Sequence, residues 1–256
     1  MGNRRTIEVF LPYDYYTRSR AYKVLYANDG QDMAALHMKS TLEKLYGEGA
    51  IEGIIVVAVH TTADRLNEYG TAGIPNSDGL GARAAEYTRF LIEEVMAYIN
   101  RRYRTLTGPE NTAIMGWSLG GLSAFDISWN HPDLFGTVGV FSGSFWWRTD
   151  LLRDSVEARQ NSRIAHTIVR ESEKREGLRL WFEVGTNDET DDRDGSGVID
   201  AIQDTTELMD ELRLKGYVEG EDMAYVEVGG GQHNQATWAK VLPDFLKWAF
   251  PAGVAR

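Results

Sequence analysis

The run GWSLGG at residues 116–121 sets a serine, Ser118, among small residues in the pattern Gly-x-Ser-x-Gly. An apolar run typical of a buried strand, Asn111–Met115, precedes the motif, and an amphipathic run, Leu122–Trp129, follows it. Small residues two positions either side of the serine allow a tight strand-to-helix turn, which pushes the hydroxyl out into a cleft. The motif therefore predicts that Ser118 is a catalytic nucleophile.

A serine nucleophile needs a base and an acid, and candidates for both follow later in the chain. Enzymes with this turn carry the acid after a late strand and the histidine after the last strand. The apolar run Leu178–Val184 predicts a strand that leads directly to Asp188. A further predicted strand, Ala224–Val228, leads through a glycine-rich loop to His233. We therefore predict Asp188 as the acid and His233 as the general base.

Other residues compete for both roles. His60 ends a predicted strand, but no later acid places it as a base. The remaining histidines lie in or beside helical patterns: His37, His131 and His166. Several carboxylates crowd the loop after Asp188: Glu189, Asp191, Asp192 and Asp194. We expect most of these carboxylates to be solvated, which leaves the pair of Asp188 and His233 as the prediction.

Three loops are expected to shape a pocket, because ligands bind at the carboxyl ends of the strands in open α/β sheets, and the third of them is the acidic loop described below. The first, Thr61–Gly81, is long and polar and carries Arg65. We expect Arg65 either to grip an acidic or catecholate group or to tie down its own loop. The second, residues 144–177, is predicted to be a small lid-like insertion, and it opens with Trp146 and Trp147.

Aromatic side chains near the predicted site indicate the kind of substrate. Trp146 and Trp147 at the mouth of the lid, and Trp117 beside the nucleophile, favour a flat aromatic or sugar-like group. For each of the three the alternative is ordinary packing in the lid or the core.

An acidic loop has some of the spacing of a calcium site. Its oxygen-bearing residues fall at the first, third, fifth and ninth places of an EF-hand-like loop: Asp192, Asp194, Ser196 and Asp200. The twelfth place is Gln203 instead of the bidentate glutamate, which weakens the match. Two interpretations stay open, a structural Ca²⁺ that stiffens the loop holding Asp188, and a solvated acidic loop. Catalysis by a serine triad requires no cofactor.

The elements that must position these residues alternate between strands and helices, which indicates an α/β fold with a mostly parallel sheet covered on both faces. The predicted strands are Thr6–Leu11, Tyr22–Ala27, Ile54–His60, Thr112–Met115, Gly136–Phe141, Leu178–Val184 and Ala224–Val228. The predicted helices are Met33–Tyr46, Ala82–Tyr103, Leu119–Trp129, Ser162–Lys174, Ile199–Lys215 and Gln235–Ala249. No linker or repeat is visible, so residues 1–256 are expected to form one domain.

The composition of the chain limits which partners and locations are expected. The net charge of −11 and the lack of a basic stripe argue against nucleic acid and anionic membranes as partners. No apolar run is long enough for a membrane span or a signal peptide, so a cytoplasmic location is expected for the chain as given. A periplasmic or secreted location stays open if a leader was trimmed. The absence of cysteine excludes thiol nucleophiles, disulfides and thiolate metal sites.

Several motifs recur in the order found in a known family. The segments LPYDY, VLYANDGQ, GWSLGGLSAF, GVFSGSFWWR, EVGTND and GGGQHNQATW span nearly the whole chain. Together they resemble the esterase family of α/β-hydrolases that includes esterase D, enterochelin and salmochelin esterases, carbohydrate-acetyl and feruloyl esterases, and mycolyltransferases. The resemblance implies an α/β-hydrolase fold, whose usual leading strand looks shortened or missing here.

The predicted chemistry also needs backbone donors for the negative oxygen of a tetrahedral intermediate. Leu119 follows the nucleophile at the start of a helix, so its N–H is expected to point into the site. The resemblance aligns residues 28–31 with the second half of this oxyanion hole and implies Gly30 or Gln31 as the other donor. A plain β-turn is the alternative for that segment.

These residues predict a serine carboxylic-ester hydrolase that acts through an acyl-enzyme on a small-molecule ester. The resemblance implies a small or aromatic ester, such as an acetylated or feruloylated carbohydrate or a siderophore trilactone. An acyltransferase that uses the same triad with a sugar or alcohol acceptor is an alternative. A non-catalytic binding protein on the same scaffold is a second alternative, although no triad member is missing.

Overall fold

The computed structural model describes residues 1–150 and 156–253, and its centre is a seven-stranded sheet. The strands are β1 (Ile7–Phe10), β2 (Lys23–Ala27), β3 (Ile54–Val59), β4 (Thr112–Trp117), β5 (Thr137–Phe141), β6 (Arg179–Asn187) and β7 (Met223–Gln232). Their order across the sheet is β1-β3-β2-β4-β5-β6-β7. β1 runs antiparallel to β3 at one edge, and every other neighbouring pair is parallel. The predicted fold class, α/β with a mostly parallel sheet, is confirmed.

Helices cover both faces of this sheet. Those in the described residues are α1 (Met38–Gly47), α2 (Arg65–Glu68), α3 (Ala84–Arg89), α4 (Ala97–Arg102), α5 (Leu119–Asn130), α6 (Val156–Asn161), α7 (Ile164–Glu171), α8 (Asp200–Leu214) and α9 (Gln235–Ala249). A π-helical stretch, Phe90–Met96, joins α3 to α4 into one long helix. Within residues 1–150 and 156–253, none of the helices combines the length and apolar character needed to cross a membrane.

The core lies in two apolar layers, one on each face of the sheet. In β2, Val24 and Tyr26 belong to one layer, whereas Leu25 and Ala27 belong to the other. This alternation follows from the strand geometry, because successive side chains point to opposite faces. The central strands are buried on both sides and are therefore almost continuously apolar, as in β3, IIVVAV.

One predicted helix begins later than expected, and the predicted lid is helical in its described part. The helix predicted from Met33 starts only at Met38, because His37 has a left-handed backbone (φ 55°) that separates α1 from a short 3₁₀ turn, Gly30–Asp32. The predicted lid, residues 144–177, contains the short helices α6 and α7. Residues 151–155 of that predicted lid lie outside the described residues.

Candidate active site

Ser118 lies on a sharp turn between β4 and α5. Its backbone is strained, with φ 55° and ψ −130°, and its side chain is partly exposed. A Cβ on Gly116 would lie 2.2 Å from the backbone oxygen of Gly120, so no larger residue fits at that position. The small residues of the motif are thus required because the helix turns back directly over the end of the strand.

Asp188 and His233 are brought together by the pairing of β6 with β7. Past a register shift at Gly185, Asn187 lies opposite Gln232 in the sheet. Because Asp188 and His233 each follow one of these paired residues, they leave the sheet side by side. His233 Nδ1 lies 2.6 Å from Asp188 Oδ1, and the carboxylate can only accept, so Nδ1 carries the proton.

The environment of His233 sets its protonation. Burial lowers the pKa of the imidazole, but the hydrogen bond and the charge of Asp188 outweigh it, and the pKa is raised above the ordinary value of 6.5. Asp188 is fully buried, and its second oxygen, Oδ2, has no hydrogen-bond partner among the described residues. Glu189 Oε1 lies 4.0 Å from His233 Nε2, the nitrogen that faces away from Asp188.

The hydroxyl of Ser118 is 3.5 Å from the hydroxyl of Ser144. Within the described part of the chain, Ser118 and His233 are not hydrogen-bonded to each other. Such contacts are often long in free enzymes and tighten when substrate binds, so the geometry is compatible with a nucleophile and base on neighbouring loops.

Trp238 packs directly against His233, and Trp117 packs behind Trp238. Trp238 meets the imidazole edge to face, with ring centroids 5.3 Å apart, and donates its indole N–H to Ser142 Oγ. Trp117 stacks on Trp238 and donates its own N–H to Asp32. Trp117 is only 2% exposed and packs in the core, which was the alternative to contact with the substrate.

The predicted oxyanion residues lie at the start of α5 and in the turn that contacts it, where Asn28 Nδ2 donates to the backbone oxygen of Gly120. Leu119 is the first residue of α5, so its N–H has no acceptor within the helix. Gly30 and Gln31 begin the 3₁₀ turn, where N–H groups are likewise free of the turn's own bonds. A Cβ on Gly30 would lie 2.7 Å from the carbonyl carbon of Ala58, which explains the glycine.

Arg65 connects the long loop Thr61–Gly81 to the turn that carries Gly30. Its Nε and Nη2 donate to the two oxygens of Asp29, at 2.7 and 2.8 Å. This bidentate pair anchors the loop to the turn, and binding of a ligand by Arg65 stays a prediction. Its charge also lies near enough to His233 to lower the pKa of that imidazole, so the guanidinium borders the site.

The two tryptophans of the predicted lid, Trp146 and Trp147, have different environments. Trp146 is 37% exposed and lines a cleft of about 810 Å³ that reaches Glu189. Trp147 is buried and packs against Gly70 and Gly81, where a Cβ would meet its ring at 3.2 and 3.3 Å. The structure therefore leaves Trp146 available to a ligand and places Trp147 in the packing of the loop Thr61–Gly81.

The acidic loop is held by its own backbone. Asp192 accepts the N–H groups of Ser196 and Gly197, and Asp194 also accepts that of Ser196. Asp200 accepts the N–H of Arg193. No cluster of three or more acidic or histidine side chains suited to a metal ion occurs in residues 1–150 and 156–253. Calcium binding stays a prediction.

The remaining histidines lie away from Ser118 or are engaged elsewhere. His60 pairs with Glu8 at the sheet edge, 2.8 Å away. His166 is buried in α7 and bonds the backbone oxygen of Asp204. His37 and His131 flank the ends of α1 and α5. None of these four is hydrogen-bonded to a site residue named above.

One residue beside the site was missed by the sequence analysis. Glu183 lies in β6, is 1% exposed, and neither of its carboxyl oxygens has a hydrogen-bond partner among the described residues. Burial, and then the charge of Asp188, raise the pKa of Glu183 to about 8, so it is neutral at pH 7. A lone carboxylate inside the apolar run LRLWFEV was the available signal.

Comparison with known proteins gives several related chains. The Esterase family, described as "Putative esterase", matches residues 1–249. The uncharacterized protein YbbA of Bacillus subtilis (strain 168) is 22% identical over 253 residues, which are 97% of this chain and 93% of YbbA. A ferulic acid esterase of known structure superposes with a TM-score of 0.72 at 21% identity, covering 96% of this chain and 92% of that one.

The enterobactin esterase FES from Shigella flexneri superposes with a TM-score of 0.73 at 20% identity, covering 96% of this chain but only 55% of FES. This chain thus spans about half the length of FES. At these identities the structural likeness shows a shared α/β-hydrolase-type fold. The family match extends over nearly the whole sequence, and on that basis the chain belongs to the Esterase family and is an esterase.

Proposed function

We propose that this protein is a serine carboxylic-ester hydrolase in which Ser118, His233 and Asp188 form the triad. The observation that carries the proposal is the 2.6 Å contact between His233 Nδ1 and Asp188 Oδ1, beside a serine held at φ 55° on a strand-to-helix turn. The contact leaves His233 Nε2 free of its proton, which is the state a general base needs.

The mechanism follows from this arrangement. Ser118 Oγ attacks the ester carbonyl while His233 Nε2 takes its proton, and Asp188 holds the Nδ1–H tautomer and stabilises the resulting imidazolium. The N–H of Leu119 and that of Gly30 or Gln31 stabilise the oxyanion. His233 then returns the proton to the leaving alcohol. Water, deprotonated by His233, releases the acid from the acyl-enzyme in the second half of the reaction.

The proposed substrate is a small or aromatic ester. Trp146, exposed in the cleft beside Glu189, offers a flat apolar surface for an aromatic or sugar-like group. The structural neighbours named as a ferulic acid esterase and an enterobactin esterase are consistent with acetylated or feruloylated carbohydrates and siderophore trilactones.

Initial rates on p-nitrophenyl acetate, p-nitrophenyl butyrate and methyl ferulate test the proposal. We expect Ser118→Ala and His233→Ala to lower kcat about a million-fold, and Asp188→Asn about ten-thousand-fold, because asparagine favours the wrong tautomer. The exposed Ser40→Ala and the helix-end His131→Ala serve as matched controls and should keep wild-type rates.

Near-normal turnover in Ser118→Ala would contradict the proposed nucleophile, and full activity in Asp188→Asn would contradict the acid. Product analysis with an added sugar or alcohol distinguishes a hydrolase from an acyltransferase. If the acyl group passes mainly to the acceptor at low acceptor concentration, the transferase is the correct assignment.

A further inference from the structure

Beside the proposed triad lies the cleft of which the proposed function uses only the surface of Trp146. It has a volume of about 810 Å³ and is lined by Trp146, Arg148, Glu189, Asp191, Arg193 and Asp200, together with Ala201. Small-molecule sites usually fall in this size range. Glu189 forms the wall between the cleft and the triad, since its carboxylate lies 4.0 Å from His233 Nε2.

Arg148 is the unusual residue of this cleft. It is 6% exposed, and its Nε donates to the backbone oxygen of Trp146 at 2.7 Å. Within the described residues, its two terminal nitrogens have neither a hydrogen-bond acceptor nor a carboxylate partner. Arginine stays protonated in proteins, so the cleft contains a buried cation with unused donors.

The neighbouring arginines are already paired. Arg193 binds Asp200 and Asp204, and Arg163 binds Asp204 and Glu207. Asp200 and Asp204 offset part of the Arg148 charge from a distance, because they raise its pKa against burial and Arg193, which lower it. They do not satisfy its donors. The terminal nitrogens of Arg148 are not among the fully buried unpartnered atoms, so they reach the cleft, where a ligand that supplies acceptors can bind them.

The backbone holds Arg148 in place from both sides. Its carbonyl oxygen accepts the N–H of Ser77 at 2.9 Å, and a bridge pairs it with Arg163. These contacts fix the backbone of Arg148, and the bond from Nε to Trp146 orients the guanidinium, whose planar fork matches the two oxygens of a carboxylate. The carboxylates of Glu189 and Asp191 also border the cleft, but both residues are exposed, so water and salt screen their repulsion.

The position of the cleft indicates which half of the ester it receives. In the proposed mechanism, His233 Nε2 protonates the leaving alcohol, so the alcohol half must lie on the His233 side of Ser118. The cleft begins on that side, at Glu189.

We propose that the Arg148 cleft binds a carboxylate group carried by the alcohol half of the substrate, with Trp146 against the group that bears it. This inference rests on the proposed function, and it adds a charge preference to it. Arg148 acts here as a specificity residue and takes no part in the chemical steps.

A pair of substrates matched in size but not in charge tests the proposal. 4-Acetoxybenzoate and 4-acetoxybenzamide share an acetyl group and a para-substituted phenol, and they differ in the charge of the leaving group. We expect Arg148→Gln to lower the ratio of their kcat/KM values, acid over amide, about tenfold or more, mainly through KM. Arg170→Gln is the matched control and should keep the wild-type ratio, because Arg170 pairs with Glu211 and does not line the cleft.

A structural role for Arg148 would lower both kcat/KM values alike and leave their ratio unchanged, which would overturn the proposal. If Arg148→Gln fails to fold, wild-type protein alone decides. Inhibition of p-nitrophenyl acetate hydrolysis by 4-hydroxybenzoate should then be at least several-fold stronger than inhibition by 4-hydroxybenzamide. Equal inhibition would overturn the subsite.

Failure of the proposed function is distinguishable from failure of the subsite. If the wild type hydrolyses no ester, the hydrolase proposal fails, and calorimetric titration with 4-hydroxybenzoate and 4-hydroxybenzamide tests the cleft directly. Preferential binding of the acid would still support the carboxylate subsite. Equal binding, or no binding of either compound, would overturn it.

Discussion

At His233 two physical effects oppose each other. Burial disfavours the charged imidazolium, while the hydrogen bond and charge of Asp188 favour it, and the net result is a raised pKa. The general base of the proposed mechanism must be neutral. The same contact that orients the imidazole therefore also sets the lowest pH at which the proposed base can work.

We expect kcat/KM to rise with pH through the His233 pKa, with the acidic limb above the ordinary value of 6.5. In Asp188→Asn the carboxylate that raises the His233 pKa is lost, while the burial that lowers this pKa remains. The acidic limb should therefore move to lower pH, and the rate should be much smaller. The pH profile of p-nitrophenyl acetate hydrolysis measures both limbs. A limb that stays in place in Asp188→Asn would argue that another group titrates.

Glu183 predicts a pH-dependent stability. Below about pH 4.5 the folded and unfolded chains both hold this proton, so ionisation adds no penalty to folding. As pH rises towards about 8, the unfolded chain loses the proton while the folded protein keeps it, and the penalty grows. Above that pKa the penalty stays constant.

Because Glu183→Gln removes this penalty, its free energy of unfolding relative to wild type should increase between about pH 5 and 8, by up to about 5 kcal/mol. Urea unfolding at several pH values measures the difference. The exposed Glu221→Gln is the control and should show no comparable trend. A flat difference for Glu183→Gln would mean that the folded carboxyl ionises in its ordinary range.

At the scale of elements, the ends of β6 and β7 bring Asp188 and His233 together. Both strands continue past the residues where the sequence analysis ended them, to Asn187 and Gln232. Their backbones come very close at the register shift, where a Cβ on Gly185 would lie 2.3 Å from the backbone oxygen of Gly231. The loop glycines are therefore part of the strand pairing.

Gly185→Ala should separate the two strand ends, because backbone atoms cannot move aside as a flexible side chain can. We expect kcat to fall about a hundredfold, since displacements near 1 Å have effects of that size. Gly229→Ala is the matched control, because nothing lies within 4 Å of its Cβ and its φ is not positive. Equal activity of the two variants would show that the close approach does not position the pair.

At the scale of the whole molecule, ligands that bind only the folded state raise its stability by mass action. A structural calcium ion would therefore raise the melting temperature of the whole protein. The N–H groups of Ser196 and Gly197 already stabilise the charges of Asp192 and Asp194, and Gln203 stands where an EF-hand-like loop needs a bidentate glutamate.

We therefore expect the melting temperature to be the same after chelation with EDTA and after addition of millimolar Ca²⁺. Differential scanning calorimetry measures it, with Mg²⁺ as the control for ionic strength. A rise specific to Ca²⁺, lost in Asp192→Asn, would support the EF-hand-like interpretation.

The sequence by itself determined the fold class, because period-2 and period-3.6 apolar patterns and the glycine-bounded serine are local features. The sequence also predicted Ser118, Asp188 and His233 as the triad, because each follows a segment whose apolar pattern predicts a strand. Only the tertiary structure decided which neighbouring carboxylate meets His233, and that Trp117 and Trp147 are buried while Trp146 is exposed. Sequence cannot supply these facts, since the β6–β7 register and the environments of Glu183 and Arg148 depend on contacts between segments distant in the chain.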